Sequence, residues 1–96
     1  MHFEQAGKLY AECGDRQRAH EAFVKYAVSS EKTNSMLSAG EGFAQAAIHC
    51  NDHGKCEGLL AQSLQSYQIE GRMEQGVKAW RNYCIKRLQD YHNICE

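Results

Sequence analysis

A chain of 96 residues with 43% hydrophobic and 24% charged residues has the composition of one ordinary globular domain with a modest core. Its formal net charge of -1 leaves no basic footprint for nucleic acid or an anionic membrane, and no apolar run approaches the roughly 20 residues that span a bilayer. Proline, the strongest helix breaker, is absent, and the opening residues Met1-His2-Phe3-Glu4-Gln5 lack the basic-then-apolar order of a signal peptide. Without an export signal, the five cysteines (Cys13, Cys50, Cys56, Cys84 and Cys95) read as free thiols in a reducing compartment, which points to the cytoplasm.

Helical periodicity runs through the whole sequence. Phe3, Ala6, Gly7, Tyr10 and Cys13 recur at three- and four-residue spacings and predict a first helix. It stops at Gly14-Asp15, a C-cap glycine followed by an acidic helix starter. Ala19, Ala22, Phe23, Tyr26 and Ala27 form the stripe of a second helix that runs out near Ser29-Ser30. A third begins near Thr33 or Asn34, whose side chains suit an N-cap, and carries Met36, Leu37, Phe43, Ala44, Ala47 and Ile48. Gly40 and Gly42 inside it each cost about 1 kcal/mol against alanine, so close approach of a neighbouring helix is the expected compensation. After Asn51-Asp52-His53-Gly54, a fourth helix uses Cys56, Leu59, Leu60, Leu64 and Tyr67 and stops near Gly71. The last starts around Met73, with Val77, Trp80, Cys84, Leu88, Tyr91 and Cys95 as its expected buried stripe. No alternating strand pattern or Asn-Gly or Asp-Gly hairpin signal is present.

The helices repeat. Glu4-Gln5-Ala6-Gly7-Lys8-Leu9-Tyr10 aligns with Glu74-Gln75-Gly76-Val77-Lys78-Ala79-Trp80, 70 residues on, or two periods of about 35. A middle copy aligns Glu12-Cys13-Gly14-Asp15 with His49-Cys50-Asn51-Asp52, 37 residues on. Gly7, Tyr10, Gly14-Asp15, Ala19 and Phe23 follow the small-aromatic-turn-small-aromatic order of the tetratricopeptide repeat, and Ala44, Ala47, Asn51, Cys56 and Leu60 hold the corresponding places in a degenerate second unit. The predicted fold is therefore all-α, with about five helices forming tetratricopeptide-like antiparallel pairs in a right-handed superhelix. The units fall at about 2–30, 33–70 and 72–96, the third being a first helix only. That ratio of units to length reads as part of a longer solenoid. The expected core includes Gly7, Tyr10, Ala19, Phe23, Phe43, Ala44, Leu60 and Trp80.

Phe-Glu-Gln-Ala-Gly-Lys-Leu-Tyr (3–10), Ala19-His20-Glu21-Ala22-Phe23-Val24-Lys25-Tyr26-Ala27-Val28 with Glu31, and then Ala39, Phe43 and Gln45-Ala46-Ala47 resemble the soluble NSF attachment proteins, the SNAP family, most of all its gamma type. The resemblance covers residues 3–70. It implies a non-catalytic adaptor, a curved stack of helix pairs that binds SNARE complexes and recruits the NSF ATPase, peripheral on membranes through those partners. The chain departs from the family in being far shorter, and no region corresponding to the NSF-engaging C-terminus is recognisable.

Among exposed candidates, Tyr83 with Arg81, Lys86 and Arg87 could face an acidic partner, as could Lys25 and Lys32; a solvated, dipole-complementing helix face explains the same residues. His49, Cys50, His53 and Cys56 form the one dense ligand-type cluster, but their spacing matches no common zinc module, and packing of small residues accounts for Cys50 and Cys56. By the same reasoning Cys13, Cys50 and Cys84 are expected to be shielded. No nucleophile turn or oxyanion signature is visible, so neither a catalytic residue nor a cofactor is assigned. A generic tetratricopeptide-like scaffold for another helix or peptide is the alternative function, and a small zinc protein a more distant one. Ile85, Leu88, Tyr91 and Ile94 are the expected contacts of a weak homodimer.

Overall fold

The computed structural model describes residues 3–50 and 53–95, and the side chains of His53 and of residues 90–95 are outside that description, as are Asn51 and Asp52. Five helices follow one another: α1 (Phe3–Glu12), α2 (Arg16–Lys32), α3 (Met36–Ile48), α4 (His53–Ile69) and α5 (Met73–Cys95). Among the described residues there is no strand, and no helix is long and apolar enough to cross a membrane.

The three connections that lie wholly among the described residues are built alike. In each, one residue at positive φ bends the chain: Gly14 (80°), Asn34 (61°) and Gly71 (72°). Glycine enters this region freely and asparagine at little cost. The residue after it bonds back five positions, Asp15 N–H to Tyr10 O at 2.9 Å, Ser35 to Ser30 at 2.8 Å and Arg72 to Tyr67 at 2.8 Å. The bend itself bonds back three positions, to Ala11, Glu31 and Gln68. These are paired Schellman bonds, which satisfy the last free carbonyls of a helix. The closing residue is also the N-cap of the next helix, since the carbonyls of Asp15, Ser35 and Arg72 accept from Ala19, Ala39 and Gly76. Only Asp15 adds a side-chain cap, to Arg18 N–H at 3.1 Å. The α2–α3 turn thus lies later than the sequence implies. α2 continues through Ser29 and Ser30 to Lys32, Thr33 caps its C-terminus, and Ser35 in place of Thr33 or Asn34 opens α3.

Four residues past those N-caps sit Ala19, Ala39 and Gly76, all small and buried; Cys56 holds a similar place in α4. Among the described residues, seven of the thirteen buried hydrophobic ones are alanine, which close-pack only if helix axes come near one another. Gly42 shows how near: a Cβ there would lie 2.8 Å from the Ala27 Cβ and 2.9 Å from the Tyr26 ring. On Gly7 a Cβ would meet the Phe23 ring at 2.8 Å. The conformational cost of glycine in these helices is offset by contacts that no larger residue permits. Each helix packs on the next, and α5 also touches α3.

Gly7, Ala19, Phe23, Phe43, Ala44 and Leu60 are buried, but Tyr10 and Trp80 are 36% and 45% exposed. Tyr10 lies on the outer side of α1, with the Arg18 guanidinium 5.9 Å above its ring. In α5 the expected stripe is turned outward: Val77, Trp80, Cys84 and Leu88 are exposed, whereas Gly76 is buried and Ala79, Tyr83 and Arg87 are half-buried. Tyr91 and Cys95, the rest of that stripe, lie outside the described side chains. Gly76 sets the rotation, because a Cβ on it would stand 3.1 Å from Leu64 Cδ2 of α4.

This packing predicts opposite outcomes for two aromatic truncations. Phe23→Ala, at a residue 2% exposed, should lower unfolding free energy by about 3–5 kcal/mol in urea melts, the usual cost of emptying an aromatic core position. Trp80→Ala, measured at low protein concentration, should cost less than about 1 kcal/mol.

Candidate functional site

A groove of about 430 Å³ is framed by the odd-numbered helices, and a second concavity of about 440 Å³ lies between α1 and the end of α2. Glu4 and Lys8 come from α1, Glu41, Ala44, Gln45 and Ile48 from α3, and Gln75, Lys78, Ala79 and Asn82 from α5. Each set recurs at three- and four-residue spacings, which places it on a single helix face. The α3 and α5 sets have the same spacing and lie 34 residues apart, the tetratricopeptide period. Phe23 and Tyr26 of α2 and Tyr67 of α4 supply aromatic surface between them.

The groove is amphipathic. Two carboxylates, two ammonium groups and three carboxamides stand beside aromatic and aliphatic groups. Lys8 and Glu4 approach to 3.9 Å, an exposed i,i+4 pair of little energetic weight. Burial raises the Glu41 carboxyl above its ordinary range; Glu4 reinforces the shift and Lys8 opposes it. Burial pushes the Tyr67 phenol up to about 12, with Glu41 and then Tyr26 adding to the effect. Tyr67 therefore stays a neutral hydrogen-bonding group at physiological pH. The lining contains no thiol, imidazole, serine or threonine.

The residues singled out from sequence lie elsewhere. Lys25 and Lys32 are exposed on α2, and Arg81 and Lys86 on α5; none of them lines the groove. Tyr83 is half-buried. Burial comes first among the causes that push its phenol up to about 12, followed by the neighbouring Cys56, to which it is hydrogen-bonded. The Arg87 guanidinium lies 5.7 Å over the Tyr83 ring. Tyr83 and Arg87 thus contribute to packing beside α4. Glu41, Gln45, Gln75 and Asn82 were not distinguishable as surface polar residues, although the identical spacing in 41–48 and 75–82 was readable.

The His49–Cys56 segment caps the end of α3. Its last carbonyls are met one by one: Arg16 Nη2 donates to Ile48 O at 2.9 Å and His20 Nδ1 to Ala46 O at 2.9 Å. His49 Nδ1 donates to Gln45 O at 2.9 Å, and the Cys56 thiol reaches Ala47 O at 3.3 Å and Cys50 O at 3.4 Å. A carbonyl only accepts, so both imidazoles carry their proton on Nδ1 and Cys56 donates as a neutral thiol. The His49 ring also stacks on Phe23, centroids 5.5 Å apart. The side chain of His53 is outside the described residues, among which no three His, Cys, Asp or Glu side chains converge as metal ligands. Cys50 and Cys56 are buried; Cys13 and Cys84, expected to be shielded, are exposed because they fall at a turn and on the outward face of α5.

No family model, curated protein or solved structure matches the chain.

Two predictions follow from this end of the molecule. An alkylating reagent should modify Cys13 and Cys84 in the folded protein, and Cys50 and Cys56 only after unfolding, as read by peptide mass mapping. Burial holds the His49 imidazole below its ordinary 6.5, with Arg16, Lys86 and His20 adding repulsion against the favourable bond to Gln45. The unfolded chain then binds more protons than the folded one, so stability is complete above the unfolded value and falls as pH drops through it. Melting temperature should decline between about pH 7.5 and 6. His49→Gln should flatten that decline.

Proposed function

We propose that this chain is a non-catalytic, tetratricopeptide-like protein-binding module whose α1–α3–α5 groove receives a helix or peptide from a partner. The carrying observation is the matched spacing of groove residues on α3 and α5, 34 residues apart. Repetition at that period is how stacked helix pairs generate an extended binding face. The chemistry of the lining fits a peptide. Gln45, Gln75 and Asn82 offer both donors and acceptors to main-chain amides, Lys8 and Lys78 are placed for acidic side chains, and Phe23, Tyr26 and Ile48 accept an apolar side chain.

Within this reading, the SNAP-like wording of residues 3–70 favours an adaptor for SNARE bundles and the NSF ATPase, as a right-handed superhelical stack in the cytoplasm that meets membranes through its partners. Lys25, Lys32 and Arg81 are among the exposed basic residues that an acidic bundle would meet.

Capture of a recombinant SNARE bundle or of NSF on immobilised protein, alongside an array of helical and extended peptides, tests both levels. Combined Lys8→Glu and Lys78→Glu should weaken the captured partner by about tenfold or more, the loss of roughly 1.4 kcal/mol. Combined Lys25→Glu and Lys32→Glu should weaken a SNARE bundle but leave a groove-bound peptide unchanged. Capture of peptides without SNARE or NSF would leave the generic scaffold; capture indifferent to the groove substitutions would remove the groove from the function.

A further inference from the structure

Met73, Val77, Trp80, Cys84 and Leu88 form one stripe along α5, and all five are exposed, Val77 at 52% and Leu88 at 61%. Helical geometry puts this stripe on the opposite side of α5 from Gln75, Lys78, Ala79 and Asn82, so it is separate from the groove. Five adjacent large or sulfur-bearing apolar residues on one outer face exceed the scattered single exposures of an ordinary surface.

We infer that this stripe is the interface of a weak, two-fold homodimer in which α5 packs antiparallel on α5 of a second copy. The spacing from Met73 to Cys84 is four, three, four, which reads the same in both directions. An antiparallel two-fold contact requires such self-complementarity, because each residue meets the partner surface in reversed order. Met73 then faces Cys84 of the second copy, Val77 faces Trp80, and the two reciprocal contacts complete the set. Leu88 falls over the α4–α5 turn of the second copy. Spacings of three and four are those with which two helices mesh side chains.

Charge agrees with the same orientation. Glu74 and Arg81 are seven residues apart and flank the stripe on one side, the acid toward the N-terminal end and the base toward the middle. Reversal of the second helix brings Glu74 of each copy near Arg81 of the other, within reach of the long guanidinium side chain. A parallel two-fold pair would instead put this flank of the two copies on opposite sides of the contact, where Glu74 and Arg81 could not meet. The patch is about 24 Å long and one helix wide, so it buries less than the roughly 1,200 Å² of a stable complex and belongs to the transient class. The face differs from the one expected from sequence, because Ile85 lies to the side of the stripe and Val77, Trp80 and Cys84 are not in the core.

Sedimentation equilibrium over a wide concentration range tests the proposal, with emission of the single tryptophan as a second readout. The wild-type mass should rise from 10.9 kDa toward twice that value, and Trp80 emission should shift to the blue as the dimer forms. Trp80→Glu should give a monomer at all concentrations with unchanged helical circular dichroism. Glu74→Arg and Arg81→Glu should each weaken association, and the double swap should restore it. A monomeric wild type at every concentration, a dimer indifferent to Trp80→Glu, or a double swap no better than the single variants would each overturn the antiparallel α5 dimer.

Discussion

The end of α3 is the constraint around which the rest of the structure is arranged. A helix leaves its final carbonyls without intrahelical partners, and burying them unmatched costs a large part of what a small domain has in total. Here α3 ends where α2 and α4 both reach it. Arg16 and His20 arrive from α2 and Cys56 from α4, so the same few carbonyls fix the register of both neighbours. Phe23, packed under Gly7 and stacked on His49, ties this junction back to α1. Two members of a cluster that resembles a metal set in one dimension, His49 and Cys56, serve in three as hydrogen-bond donors.

Alanine and glycine at the helix contacts give the second organising feature. Close axes bring many backbone and Cβ atoms into contact, but small side chains remove little apolar area apiece. The Ser63 hydroxyl, buried 2.7 Å from Gly40 O, belongs to the same economy of short residues. Large side chains are consequently concentrated at a few positions. Phe23, Tyr26 and Tyr67 contribute both to the core and to the surface of the groove. The groove is thus continuous with the packing that holds the helices, and its shape depends on the glycines at the contacts.

α5 combines these features. One face, marked by Gly76, Ala79 and Tyr83, locks it to the preceding helices; another, with Gln75, Lys78 and Asn82, completes the groove. The remaining apolar stripe is exposed. A helix with three distinct faces suits a module that binds one partner while meeting a copy of itself.

The sequence by itself determined the all-α class, the number of helices and most of their ends, because these depend on local chemistry. Gly14 and Gly71 reach positive φ without a Cβ clash, and proline interrupts nothing. Gly40 and Gly42 announced close helix contact because an isolated helix gives no reason to keep them. The Thr33-Asn34-Ser35 turn was misplaced by a residue or two, since all three side chains are plausible caps and only the positive φ of Asn34 separates them. Tertiary structure alone decided that Trp80 faces outward, that Tyr83 lies against Cys56, and that Glu41, Gln45, Gln75 and Asn82 share a groove. Periodicity shows which side of a helix is apolar, whereas burial depends on where its neighbours stand, and that position is fixed by contacts between residues far apart in the chain.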